Sequence, residues 1–214
     1  MNTPKVPTWL KTLLSGFGVF LILACSIFGS DDPTAPQEKA AAATTAPPTV
    51  SPEGFTLLEA WQRAEPGLQK WASDAQPSGR FICQGTAPSR EGRCVEWNGM
   101  AGSLSKSELA RVHVLRSEVE VLPSGARTTT LEVFPLEGFR DSPEVAATTW
   151  DWLKGQSLVK ENTRLERLGV DATAAAVKEC GGGAPAFYLV VIDNPDGLVC
   201  VNPYTGQVSH TKFR

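Results

Sequence analysis

The sequence predicts an α+β fold, with helices packed on an antiparallel sheet, and three stretches carry that expectation. Thr56-Leu-Leu-Glu59 has the spacing of a capping box, and Leu57, Trp61, Ala64, Leu68 and Trp71 follow at helical steps. Asp141-Ser-Pro-Glu144 opens a second helix. Ala186 to Asp193 (AFYLVVID) is a continuous apolar run, long enough for a central strand. The order of helix then antiparallel strands occurs twice, as two helix-plus-meander repeats or as one continuous sheet with two helices on one face.

Four segments follow from composition: 1–30 membrane-directed, 31–52 a linker, 53–137 a first α+β unit and 138–214 a second. Thr12 to Ser30 carries no charge, with Lys5 and Lys11 before it and Asp31 and Asp32 after it. As a helix these residues span roughly 28 Å at about 1.5 Å each, near the hydrocarbon thickness. Leu21-Ile-Leu-Ala-Cys25 also resembles a bacterial lipobox, in which the cysteine is lipidated and becomes the new N-terminus. A lipidated Cys25, an uncleaved transmembrane helix and a cleaved secretion signal therefore stand side by side. All three export the remainder, so the bulk of the chain is expected outside the cytoplasm at the cell membrane. Asp31 to Ser51 is Ala, Thr and Pro with almost no large apolar side chain, which describes a disordered tether.

In the first unit, strands are expected at 79–84, 93–98, 110–122 and 128–134, with Pro123-Ser-Gly-Ala126 as a turn. Val112 and Val114 share one face, whereas Val119 and Val121 fall on the other phase, so a bulge or bend is expected between them. Pro66 is expected to kink or split the first helix. In the second unit Ser142 caps the helix, Pro143 takes its first position, Ala146, Trp150 and Leu153 form its buried stripe, and Gly155 stops it. A strand at 163–170 and a looser stretch precede AFYLVVID. Asn194-Pro-Asp-Gly197 then turns the chain, and 198–202 and 207–212 return to complete a meander.

Beyond Cys25 the exported part holds Cys83, Cys94, Cys180 and Cys200, an even number suited to two disulfides. Four cysteines allow three pairings. Cys83 and Cys94 flank a short polar loop and can face each other across a hairpin, which leaves Cys180 with Cys200. No C-x-x-C pair occurs and only His113 and His210 could assist, so no metal is expected.

The second half resembles the PepSY family of small extracytoplasmic modules. The residues that carry the likeness are AFYLVVID, then Val201-Asn-Pro-Tyr-Thr-Gly-Gln-Val208, with SPEVAATTW as the preceding helix. Asn202 stands where such modules often have Asp, and the first half, with LLEAWQRA, has no matching Thr-Gly turn. The resemblance implies a binding or regulatory module for a protein or peptide partner, in some members a peptidase, and it implies no catalysis.

The chemistry-bearing residues agree with a non-enzymatic reading and with no cofactor. No G-x-S-x-G, H-E-x-x-H or Walker-type loop is present, and Gly181 to Gly183 lacks a following Lys-Ser/Thr. His113 and His210 are each more simply strand residues than catalytic bases. The acid pairs Glu118 with Glu120 and Asp193 with Asp196 fit a solvated strand face and turn chemistry. With 20 basic and 23 acidic residues there is no basic field for nucleic acid. The candidates for partner binding are Arg90 and Arg93 in the Cys83 to Cys94 loop, Trp97 and Trp152, which lie off the helix stripes, and Tyr204 at a hairpin tip. The alternative is a structural or assembly lipoprotein of the cell envelope.

Overall fold

The computed structural model describes residues 54–213; the expected membrane-directed segment, Cys25 and the expected linker fall outside these residues. Among the described residues no helix is long and apolar enough to cross a membrane. The chain runs α1 (Leu57–Trp71), β1 (Gln76–Gln84), β2 (Glu96–Ser103), β3 (Glu108–Leu115), β4 (Val119–Arg127), α2 (Ser142–Gly155), β5 (Arg164–Asp171), α3 (Ala174–Glu179), β6 (Phe187–Asp193), β7 (Gly197–Val201) and β8 (Val208–Phe213). All strands join one antiparallel sheet in the order β4-β3-β2-β1-β5-β6-β7-β8. Each half thus contributes a four-stranded meander, and the two meet where Arg80, Phe81 and Ile82 of β1 pair with Asp171, Val170 and Gly169 of β5.

Local chemistry starts each long helix. The Thr56 hydroxyl accepts from Glu59 N at 3.1 Å while the Glu59 carboxylate accepts from Thr56 N at 2.9 Å, a complete capping box. One α-helix runs through Pro66 to Trp71. The cap of α2 is Asp141 rather than Ser142, which is displaced into the first turn because its hydroxyl accepts from Leu57 N at 3.1 Å. Asp141 Oδ1 accepts from both Ser142 N at 2.8 Å and Leu58 N at 3.0 Å. The two helix starts therefore abut, and one carboxylate answers the exposed N–H groups and positive dipole ends of both.

Both helices cover the same face of the sheet. Leu57, Ala60, Ala64 and Leu68 of α1, and Val145, Ala146, Trp150 and Leu153 of α2, share one core with Phe81, Trp97, Val112, Val114, Leu168, Val170, Tyr188, Val190 and Val199. On the opposite face, α3 covers a small satellite cluster of Cys180, Phe187 and Cys200, with Val177, Leu189 and Leu198 around it. This helix occupies the stretch that the sequence left irregular. Thr173 caps it, but six residues give one turn and a half, too few for an apolar repeat to show. Disulfides join Cys83 to Cys94 and Cys180 to Cys200.

Three strand expectations are corrected. The phase change between Val114 and Val119 is a tight hairpin, closed by Leu115 N donating to Glu118 O at 2.9 Å, rather than a bulge within one strand. Pro123 to Ala126 lies inside β4 instead of forming a turn, which an edge strand tolerates because Pro123 needs no outer partner. Residues 128–134 are not a full strand; Val133 makes a single bridge to Ser78.

The segment after α1 is tied to the β2–β3 turn by Asp74. Its carboxylate accepts from Ser103 Oγ at 2.7 Å, Ser105 N at 2.7 Å and Ser105 Oγ at 2.9 Å. These bonds, that from Ser103 foremost, hold the carboxyl at about 2 against an ordinary 3.8. A carboxyl depressed on folding adds stability that is fully present above its unfolded value and disappears as pH falls through its folded value. Urea denaturation is therefore expected to show stability declining from about pH 4 towards pH 2, with a smaller decline over that window in Asp74→Asn. Parallel curves for the two proteins would show that Asp74 does not contribute.

Candidate functional site

The face opposite α1 and α2 is covered by α3 only at the β6–β7 end. Strand alternation places one cross-strand row over this face, and the register reads Cys200, Leu189, Gly169, Ile82, Asn98, His113, Glu120 from β7 to β4. At its centre β1, β5 and β6 enclose a cleft of about 280 Å³. Half-buried Ile82, Leu189 and Val191 give it an apolar floor. Gly169 makes this possible: a Cβ there would lie 2.6 Å from Ile82 Cγ2, so only a residue without a side chain lets Ile82 lie across β5.

The rim is basic. Arg80 Nε donates to Asp171 Oδ2 at 2.6 Å; the arginine side chain is 66% exposed and the aspartate 3%, so Asp171 anchors a guanidinium that still faces solvent. Asp171 Oδ1 accepts from Thr173 N at 2.8 Å, which links the rim to the start of α3. Arg167, also on the rim, is exposed and forms no ion pair among the described residues. An apolar floor with arginines above it can bury a partner's apolar side chain and bond its carboxylate or carbonyl oxygens.

Towards β4 the row becomes polar. His113 Nε2 lies 2.9 Å from Glu96 Oε1, and Nδ1 lies 3.8 Å from Glu120 Oε2. This is the acid pairing that a histidine base needs; the residues opposite His113 in the register are Asn98 and Glu120, with no serine, threonine or cysteine among them. Among the described residues no group of three or more His, Cys, Asp or Glu side chains is arranged to hold a metal ion. Asp193 bonds Arg164 at 2.8 Å beside the β6–β7 turn.

The residues singled out from sequence lie elsewhere and do not form one surface. Trp97 is completely buried, stacks on Phe81 at 6.0 Å and donates its indole N–H to Phe55 O at 3.1 Å. It is a core residue, because β2 points it beneath α1. Trp152 is half-buried and stacks on Phe213 at 5.7 Å, so the two tryptophans are not exposed together. Arg93 is engaged with Glu59 at 2.6 Å and with Gly54 O at 3.1 Å. The Arg90 guanidinium lies 4.7 Å from the centre of the Trp150 ring, whose Nε1 in turn donates to Arg90 O. Arg93 thus pins the loop against the start of α1, and Arg90 pins it against the middle of α2.

Tyr204 folds back from its hairpin tip, with its hydroxyl donating to Pro135 O at 3.0 Å and its ring edge-on to Phe139. Burial pushes the phenol up to about 12. The turn beneath it is held by Asn202 Oδ1, which accepts from Tyr204 N at 2.9 Å and Thr205 N at 3.2 Å. An amide oxygen serves this role as well as a carboxylate would, which is why Asn suffices here.

No family model matches this chain, and no curated protein does. Among solved structures, a protein from Clostridium difficile 630 described as a "putative lipoprotein" is similar at 12% identity and a TM-score of 0.47, over 72% of this chain and 92% of that one.

Proposed function

We propose that the chain is a membrane-anchored extracytoplasmic module that binds a protein or peptide partner on the uncovered face of its sheet, and that it performs no catalysis of its own. The observation that carries this reading is the cleft between β1, β5 and β6, an apolar floor left without cover beneath exposed Arg80 and Arg167. Apolar strand residues facing solvent at the centre of a sheet fit a surface that is completed by something else. Export is supported by the charge pattern around Thr12 to Ser30, by Leu21-Ile-Leu-Ala-Cys25 and by two disulfides. In this reading α1 with β1 to β4, and α2 with β5 to β8, are two copies of one unit, the second of them PepSY-like. That resemblance favours regulation of a peptidase over a purely structural role.

The test uses the full chain in bacterial cells, with a photoreactive side chain at Arg167 or, as control, at Lys154 on the exposed side of α2. The chain is expected to sediment with membranes, and the Arg167 probe alone is expected to yield a discrete adduct. Val191→Asp, which places a charge in the floor, is expected to weaken binding of the purified adduct partner about tenfold or more. Recovery in the soluble fraction would overturn the anchor, and equal adducts from both probes would overturn the face. Inhibition of a captured peptidase would select the regulatory reading. A stoichiometric envelope complex without inhibition would select the assembly reading.

A further inference from the structure

A second surface, on the helix side of the molecule, has the features of a site for strand addition. A groove of about 630 Å³ runs between α1 and β4, the strand that ends the sheet. Its helix wall carries Arg63, Lys70 and Trp71, its strand wall carries Val119, Val121 and Pro123, and Lys106 closes one end. Gly67 sets its width: a Cβ there would lie 2.9 Å from Val121 Cγ2, so α1 approaches the strand closely between Arg63 and Lys70.

The backbone of β4 is directional. Leu115 and Glu118 form the hydrogen-bonded pair that closes the hairpin, and bonded and non-bonded pairs alternate along an antiparallel ladder. His113 with Glu120 and Arg111 with Leu122 are therefore bonded pairs. Val119 and Val121, opposite Val114 and Val112, turn their N–H and C=O groups away from β3, towards the outside of the sheet. Pro123 is the third outward position and has no N–H to offer, which marks one end of the pairable stretch.

The charge on the walls selects the occupant. Arg63 donates to Arg116 O at 3.1 Å and lies over the Phe55 ring at 4.4 Å, while Lys106 donates to Trp71 O and lies 5.6 Å from the centre of the Trp71 ring. Neither these two nor Lys70 forms an ion pair among the described residues, and no carboxylate lines the groove. The nearby Asp74 is fully engaged by Ser103 and Ser105, and Glu120 points to the opposite face beside His113. Two copies of this chain paired through β4 would bring the same three cations together.

We propose that this groove receives an extended acidic segment of a partner polypeptide, which adds to β4 as a ninth strand. Main-chain bonds go to Val119 and Val121, and alternate acidic side chains meet Arg63, Lys70 and Lys106. This surface is separate from the cleft between β1, β5 and β6, so the two proposals stand or fall independently.

The test uses the full chain in detergent micelles with two end-blocked heptapeptides, one alternating glutamate with valine and the other lysine with valine. The glutamate peptide is expected to bind and to slow amide exchange at Val119 and Val121 about tenfold or more, while the lysine peptide does neither. Lys70→Glu and Lys106→Glu, both at exposed positions, are each expected to weaken binding up to about fivefold. Failure of the glutamate peptide to bind, equal binding of the two peptides, or binding without protection at Val119 and Val121 would overturn the proposal. Protection that rises with protein concentration in the absence of peptide would assign the edge to a second copy instead.

Discussion

Replacing Trp97 by alanine is expected to cost about 3–5 kcal/mol of folding stability, the range for emptying a large aromatic site in a close-packed core. The indole has no solvent exposure, packs on Phe81 and holds the Phe55 carbonyl through its Nε1. Its loss leaves a cavity and removes one of the two bonds that the Phe55 carbonyl accepts, the other coming from Cys94 N. Phe55 exchanges backbone bonds with Cys94 at 2.7 and 2.8 Å, so damage at this site spreads to the start of α1. Urea unfolding monitored by far-ultraviolet circular dichroism should show a large fall in midpoint with little change in slope. A loss below about 1 kcal/mol would contradict a core role for Trp97. Trp97→Phe retains most of the apolar volume and gives up the hydrogen bond, so it should fall between alanine and the parent.

The second large effect belongs to the disulfide between Cys180 and Cys200. Removing a bond that closes a sequence separation of 20 residues is expected to cost about 3 kcal/mol through restored freedom of the unfolded chain. The paired variant Cys180→Ser with Cys200→Ser should also loosen one region selectively. The bond itself lies in the satellite cluster beneath α3, and a six-residue helix does not hold its shape alone. Hydrogen exchange should rise across residues 172–186 while Leu68, Val112 and Leu153 keep their protection. An unchanged unfolding midpoint, or loosening spread evenly through the chain, would contradict this.

The elements legible in sequence are those whose determinants are local. Thr56 with Glu59, and Pro143 ahead of Val145 and Ala146, set α1 and α2 in place because a cap and an apolar stripe lie within one short window. The turn between β3 and β4 is hard to read because Arg116-Ser117 has neither the glycine nor the asparagine that marks a two-residue hairpin, and a bulge changes the side-chain phase just as a hairpin does. Pro123-Ser-Gly125 misleads in the opposite direction: at a free edge nothing requires the missing N–H, and Gly125, at φ 66°, makes a bulge where the register with β3 shifts, so the strand continues instead of reversing. Trp97 looked spare beside the helix stripes, yet Trp97, Gly99 and Ala101 alternate along β2 and all lie buried. The cleft was harder to see. Its floor joins Ile82 to Leu189 through the pairing of β1 with β5, a neighbour relation set by sheet order and carried by no spacing along the chain. Leu189 and Val191 also sit in an unbroken apolar run, where alternation cannot reveal which side is left open.

The bridge between Phe55 and Cys94 also determines how the fold meets a mechanical pull. A chain held from its N-terminal side passes tension into Gly54 and Phe55, and from there through two backbone bonds to Cys94. Cys94 is covalently joined to Cys83 of β1, which lies in the middle of the sheet between β2 and β5. Those two bonds therefore meet the load first, and behind them stands an inner strand paired on both sides, whereas a tether attached to β4 or β8 would act on an edge strand paired on one side only. With Cys83 and Cys94 reduced, the same two bonds hold Phe55 to a loop that is no longer fastened to β1.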